Sequence, residues 1–134
     1  MIDIEYQIID RLRNKLQEIN PDIYVPQEYI QESAIFPTVT CYELDNTDII
    51  ATSTRNINHY NIMYQIDIYT TGQTKKSDSK EIQKVVYDFF TKELGMTKRT
   101  GNTVENLNDL NIYRYVMRFE GILDIETLKI YRRY

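Results

Sequence analysis

The side chains able to do chemistry are few. His59 and Cys41 are the only histidine and the only cysteine. Brought together they would form the couple of a nucleophilic catalyst, the imidazole generating an attacking thiolate. Neither sits in a nucleophile motif, and both fall in strand-like runs. The pattern therefore predicts a small buried thiol and an imidazole at a strand end. A zinc site of the common kinds needs spaced pairs of nitrogen and sulfur ligands, and one His with one Cys does not supply them. Asp45-Asn46-Thr47-Asp48 has acids for calcium. It lacks the glycine and the distant bidentate glutamate of a calcium loop, so it reads as a polar turn. No glycine-rich phosphate loop is present. The reading is a non-enzyme, with no catalytic residue, no cofactor and no metal.

The elements that would position any site follow from periodicity. The clearest is the run 58–69. From Ile62 onward, Ile62, Tyr64, Ile66 and Ile68 alternate with Met63, Gln65, Asp67 and Tyr69. That is a strand with one apolar and one mixed face, rich in the β-branched and aromatic residues of a half-buried central strand. Ahead of it, residues 3–19 predict a helix, with Ile4, Ile8, Leu12 and Leu16 stepping by four and Asn20-Pro21 stopping it. Residues 23–25 predict a short strand ended by Pro26, and 27–35 an edge strand or irregular loop. Phe36-Pro37 turns into a strand over 38–44, and 45–48 is the polar break. Residues 49–57 read as strand-like at their ends.

After Thr70-Thr71-Gly72, Asp78 with Glu81 three residues on predicts a capping box. The helix it opens carries Ile82, Val85, Val86, Phe89, Phe90 and Leu94 on one face and ends at Gly95. Residues 96–100 predict a short strand and 101–111 a polar loop. Residues 112–123 alternate again, Tyr113, Tyr115, Met117 and Phe119 opposite Ile112, Arg114, Val116 and Arg118. They are followed by a turn over 124–127 and a returning strand over 128–133. Helices do not alternate with single strands. The predicted fold class is therefore α+β in one domain spanning 1–134, an antiparallel or mixed β-sheet with two amphipathic helices packed on one face.

Composition narrows the partners. The chain has 134 residues, a net charge of −4 and 12 tyrosines without a tryptophan. Phosphate-gripping grooves need clustered positive charge, so an acidic chain argues against nucleic acid as the main ligand. One cysteine suits a reducing compartment. The acidic N-terminal stretch is unlike a signal peptide, and no apolar run approaches bilayer-spanning length. The tyrosines exceed what one small core holds. Either some lie at subunit contacts, or tyrosine replaces Phe and Trp under the coding bias of an AT-rich genome.

Several segments together carry a resemblance over nearly the whole chain: the acidic first helix, Phe36-Pro37-Thr38-Val39, Glu43-Leu44-Asp45-Asn46 and Met63-Tyr64-Gln65-Ile66-Asp67-Ile68-Tyr69. With them go the Lys-Lys-Ser linker and its helix, Leu107-Asn108-Asp109-Leu110-Asn111-Ile112-Tyr113-Arg114, and Ile130-Tyr131-Arg132-Arg133. The chain resembles the tail terminators, or tail-completion proteins, of tailed phages and prophages of low-GC Gram-positive bacteria. The resemblance implies an α+β virion neck protein assembled in the host cytoplasm. It implies a homo-hexameric ring that caps the head-proximal end of the tail tube, stops tail growth and joins the tail to the head connector. Its partners would be copies of itself, the tail tube protein and the head–tail connector or stopper. DNA would pass through the lumen without specific binding, and no membrane would be involved. The alternatives are another neck protein, a stopper or adaptor, and a small cytoplasmic enzyme or regulator unrelated to phage. Rings need heterologous contacts. The residues expected at them are Asp45, Asp48, Arg55, Asp67, Tyr69, Lys98, Arg99, Arg132, Arg133 and Tyr134.

Overall fold

The structure, a computed structural model, describes residues 4–27, 35–50, 57–105, 111–124 and 130–131, with the backbone alone at 45–50, 57–60, 123–124 and 130–131. Helix α1 (Glu5–Ile19) turns Ile8, Ile9, Leu12 and Leu16 inward, and all four are buried. Each such side chain contributes about 2 kcal/mol by leaving water. The helix stops at Asn20, whose backbone is extended and whose Oδ1 accepts the Asp22 N–H at 3.0 Å. Beyond it, Ile23 and Val25 are buried, and Tyr24 makes one isolated parallel bridge to Thr38. The strand expected over 23–25 is thus only a bridge, because Pro21 and Pro26 bracket it and leave no length for a ladder. Arg13 pins this segment to α1, with Nε and Nη2 donating to the Val25 carbonyl at 3.0 and 2.9 Å.

Among the described residues, five strands form one sheet. They are β1 (Thr38–Ile50), β2 (Ile57–Thr71), β3 (Thr97–Glu105), β4 (Ile112–Asp124) and β5 (Ile130–Tyr131), with lateral order β1-β2-β4-β3 and β5 beside the far end of β4. Every pairing between them is antiparallel. The alternating strand is central, as its pattern predicts. Two readings are corrected. The polar break at 45–48 is part of β1, which runs to Ile50 with a register shift at Leu44, between Glu43 and Asp45. Residues 101–105, read as loop, continue β3. Gly and Asn are weak strand formers, but the long β4 offers a ladder that overrides their preference. Of the segment 27–35, residues 28–34 lie outside the described residues, as do 106–110 of the expected loop and 125–127 of the expected turn.

Helix α2 (Lys75–Asp88) begins one turn earlier than the capping box predicts. Asp78 therefore lies in the first turn, where it accepts a hydrogen bond from the Thr74 hydroxyl at 3.0 Å instead of capping. The helix then widens into a single π-helical turn (Phe89–Glu93), closed by Leu94 N–H to the Phe89 carbonyl at 3.0 Å. The Thr91 hydroxyl donates to the Tyr87 carbonyl at 2.6 Å, a side-chain bond to the backbone four residues earlier. Widening keeps both Phe89 and Phe90 buried, at 2% and 0% exposure. Phe90 stacks on Phe119 with centroids 4.7 Å apart and meets the edge of Phe89 at 5.2 Å. Gly95 ends the element with φ +72°, where a side chain would be strained. Both helices contribute to one core with Val39, Cys41, Ile62, Tyr64, Ile66, Ile68, Met117 and Phe119. The register places all eight on one face of the sheet. The fold is α+β, with an antiparallel sheet and two amphipathic helices on one face.

Candidate functional site

The second face of the sheet carries the opposite parity: Thr38 and Thr40 on β1, Gln65, Asp67 and Tyr69 on β2, and Arg114, Val116, Arg118 and Glu120 on β4. Neither helix packs there. Its side chains are nonetheless largely withdrawn from solvent, with Asp67 at 0%, Tyr69 at 2% and Gln65 at 5% exposure. A buried carboxylate must be paired and hydrogen-bonded to remain charged, and Asp67 is both. Oδ2 accepts from Arg114 Nη2 at 2.9 Å and from the Tyr69 hydroxyl at 3.4 Å, while Oδ1 accepts from Gln65 Nε2 at 2.9 Å. Gln65 Oε1 in turn accepts from Arg118 Nε at 2.9 Å. The Arg114 guanidinium also lies 5.7 Å over the Tyr69 ring. Further along, Arg99 Nε donates to Glu120 Oε2 at 2.9 Å and joins β3 to β4. The chain of contacts fixes two arginine side chains over the sheet in one orientation.

A second polar group sits where α1 meets the sheet. The Glu5 carboxylate accepts the outward Glu43 N–H of β1 at 2.9 Å, and Glu43 Oε2 accepts the Tyr64 hydroxyl at 2.9 Å. Burial first, and the Glu43 carboxylate second, push the Tyr64 phenol above its ordinary range. Burial first, and the Glu5 carboxylate second, do the same to the Cys41 thiol. A thiol held protonated is a poor nucleophile. Register also separates the imagined couple. Cys41 lies opposite Ile66, and His59 is seven residues further along the same strand, about 23 Å at strand rise.

Asp67 and Tyr69, expected at a subunit contact, lie together in this buried network. Lys98 and Arg99 are adjacent on β3, where Arg99 occupies a register shift and pairs with Glu120. Lys98 lies back over Gly101, whose missing side chain leaves it room, and places Nζ 5.9 Å from the Tyr87 ring centre. Asp45 and Asp48 lie on β1 opposite Met63 and Tyr60, on the far edge of the sheet from β3. Arg55, Arg132, Arg133 and Tyr134 lie outside the described residues. Sequence reasoning missed Arg114, Arg118 and Glu120 as members of a site. Alternation along β4 groups Arg114 with Arg118, but only the pairing register shows that they share a face with Asp67.

A groove of about 560 Å³ lies between α2 and β3, with Lys80, Lys84, Lys98 and Tyr87 on its walls and the buried Met117 among its lining residues. Among the described residues no group of three or more His, Cys, Asp and Glu could hold a metal ion, and no helix is long and apolar enough to cross a membrane. No protein-family model matches the chain, and no curated protein matches it.

Proposed function

We propose that the protein is a structural component of a phage neck, a tail terminator. In this reading it forms a hexameric ring on the head-proximal end of the tail tube, ends tube growth and presents a surface to the head connector. One observation carries the reading. Four of the segments on which the resemblance rests meet in the sheet: Phe36-Pro37-Thr38-Val39 enters β1, Glu43-Leu44-Asp45-Asn46 lies within it, Met63–Tyr69 is the middle of β2, and Ile112-Tyr113-Arg114 opens β4. Thr38 pairs with Tyr69, and Tyr69 with Arg114. The resemblance thus falls on one connected surface. That surface presents a polar face whose arginines are held by internal bonds, a rigid platform of the kind a ring subunit needs toward a lumen or a neighbour.

The test is genetic and microscopic. Deleting the coding sequence from a phage that carries it should give tails longer than normal that fail to join heads, and the purified chain should form closed rings by negative-stain microscopy. Tails of normal length that still fail to join heads would move the assignment to the stopper. A monomer with a turnover activity would end the neck reading.

A further inference from the structure

The groove between α2 and β3 gathers positive charge that the fold leaves unanswered. Lys80 and Lys84 stand one turn apart on α2, and Lys98 faces them from β3. The one acid among its lining residues, Asp88, already pairs with Lys92 at 3.4 Å. Neither Lys80 nor Lys84 has an acidic partner among the described residues. In a chain of net charge −4 this is a local inversion. Helix α2 packs on β2 and β4, and the groove is the strip between it and β3. Lys98 lies opposite Phe119 and Gly101 opposite Met117, so both belong to the helix-bearing face. A side-chain carbon added at Gly101 would come within 2.6 Å of the Lys98 Cε. Glycine there lets Lys98 lie across the strand, with Nζ 5.9 Å from the Tyr87 ring centre. Tyr87 is 43% exposed on the wall, while Met117 is buried. Three cations thus surround an exposed aromatic ring and a buried apolar side chain.

We infer that this groove docks an acidic, extended segment of a partner protein, with carboxylates at alternate positions and one apolar side chain beyond them. Charge complementarity selects the acids, and spacing selects the extended chain. Lys80 and Lys84 are separated by about 6 Å along the helix. Side chains on one side of an extended segment repeat every 6.6 Å or so, about the same step. Two such carboxylates therefore meet Lys80 and Lys84 in turn, with Lys98 closing on them from the opposite wall. The apolar side chain then reaches Tyr87, the next turn of α2, and Met117. A small anion would engage the lysines and leave this apolar end unused. A nucleic acid needs a broad basic surface, and its backbone would meet the repulsion of an acidic chain beyond the groove. A peptide brings few charges together with the apolar side chain, which matches what lines the groove. The apolar contact is desolvated and the ion pairs at its margin set register and salt sensitivity. The site belongs to a single subunit and does not depend on ring formation.

The probe is a fluorescein-labelled synthetic peptide of alternating glutamate and serine, with one leucine beyond the acids. Its binding to the full-length chain would be followed by fluorescence anisotropy at low and high salt. Binding should saturate, and should weaken at least about fivefold in Lys80→Gln with Lys84→Gln, which removes both charges of α2. Tyr87→Ala should weaken it at least about threefold through the lost apolar contact. The control, Gln7→Glu with Asn14→Glu, makes the same change in net charge at exposed positions of α1. It should alter binding by less than about twofold, since charges far from the groove are screened. A peptide with glutamine in place of glutamate should bind as weakly as the wild-type peptide binds the lysine variant. Circular dichroism confirms that each variant is folded. Absence of saturable binding to wild type, or equal binding by the lysine variant, would overturn the site. An equal loss in the control would overturn it too, by assigning the attraction to net charge. Displacement of the peptide by inorganic phosphate, or by a single-stranded oligonucleotide that binds the groove more tightly, would overturn the acidic peptide as its occupant.

Discussion

Arg114 on β4 reaches diagonally across the ladder to Asp67 on β2, its Nη2 donating to Oδ2 at 2.9 Å, although the residue directly opposite Asp67 is Val116. The diagonal brings the charge to a carboxylate that solvent does not reach. Neighbours at j±2 lie within reach of a long side chain. The pair therefore locks the β2–β4 register as well as neutralising a buried charge.

Removing the acid should be costly. Asp67→Ala leaves Arg114, a quarter exposed, without its carboxylate, and also strips Gln65 and Tyr69 of an acceptor. The expected loss is about 2–3 kcal/mol, toward the low end for a broken buried pair because Arg114 keeps some solvent. Urea unfolding should show the lower midpoint. Adding Arg114→Met should cost less than the two single changes summed; strict additivity would deny the coupling.

Tyr64 predicts an alkaline limb. Its folded pKa is raised, by burial and then by the Glu43 carboxylate. The folded state therefore holds the phenolic proton at pH values where the unfolded chain has lost it. Stability is fully present below about pH 10, the unfolded value, and falls as pH rises above it. Tyr64→Phe should flatten that fall while lowering stability modestly at neutral pH through the lost bond to Glu43. An unchanged alkaline slope in the variant would assign the limb to other groups.

Cys41 should resist thiol reagents in the native state. It is 2% exposed and its thiol is pushed up by burial, so both access and thiolate fraction are low. Labelling at pH 8 should proceed only at the rate of unfolding and become fast in denaturant. Rapid native-state labelling would contradict the packing.

Phe90 is the aromatic centre of the core, stacked on Phe119 and edged by Phe89. Phe90→Ala should destabilise by about 3–5 kcal/mol, the range for truncating a fully buried aromatic. Thermal unfolding followed by circular dichroism would measure it. A loss under about 1 kcal/mol would mean that the π-helical turn collapses to fill the space.

The helices and the central strand were legible because their signals are local. The buried stripe of α1 and the alternation of β2 are each contained in one short run of residues. Gly95 ends its helix for a reason carried by the residue itself. The start of α2 was misread because a capping pattern at Asp78 competes with a helix that the sheet supports one turn earlier. Residues 101–105 joined β3 because pairing with β4 outweighed their weak local preference.

Periodicity and composition alone carry the α+β class and the central place of the strand with Ile62, Tyr64, Ile66 and Ile68. Long-range pairing alone brings Gln65, Asp67, Tyr69, Arg114 and Arg118 into one network. Periodicity says which residues share a face of their own element. Register and strand order say which elements meet, and they are set by long-range pairing that no short window contains.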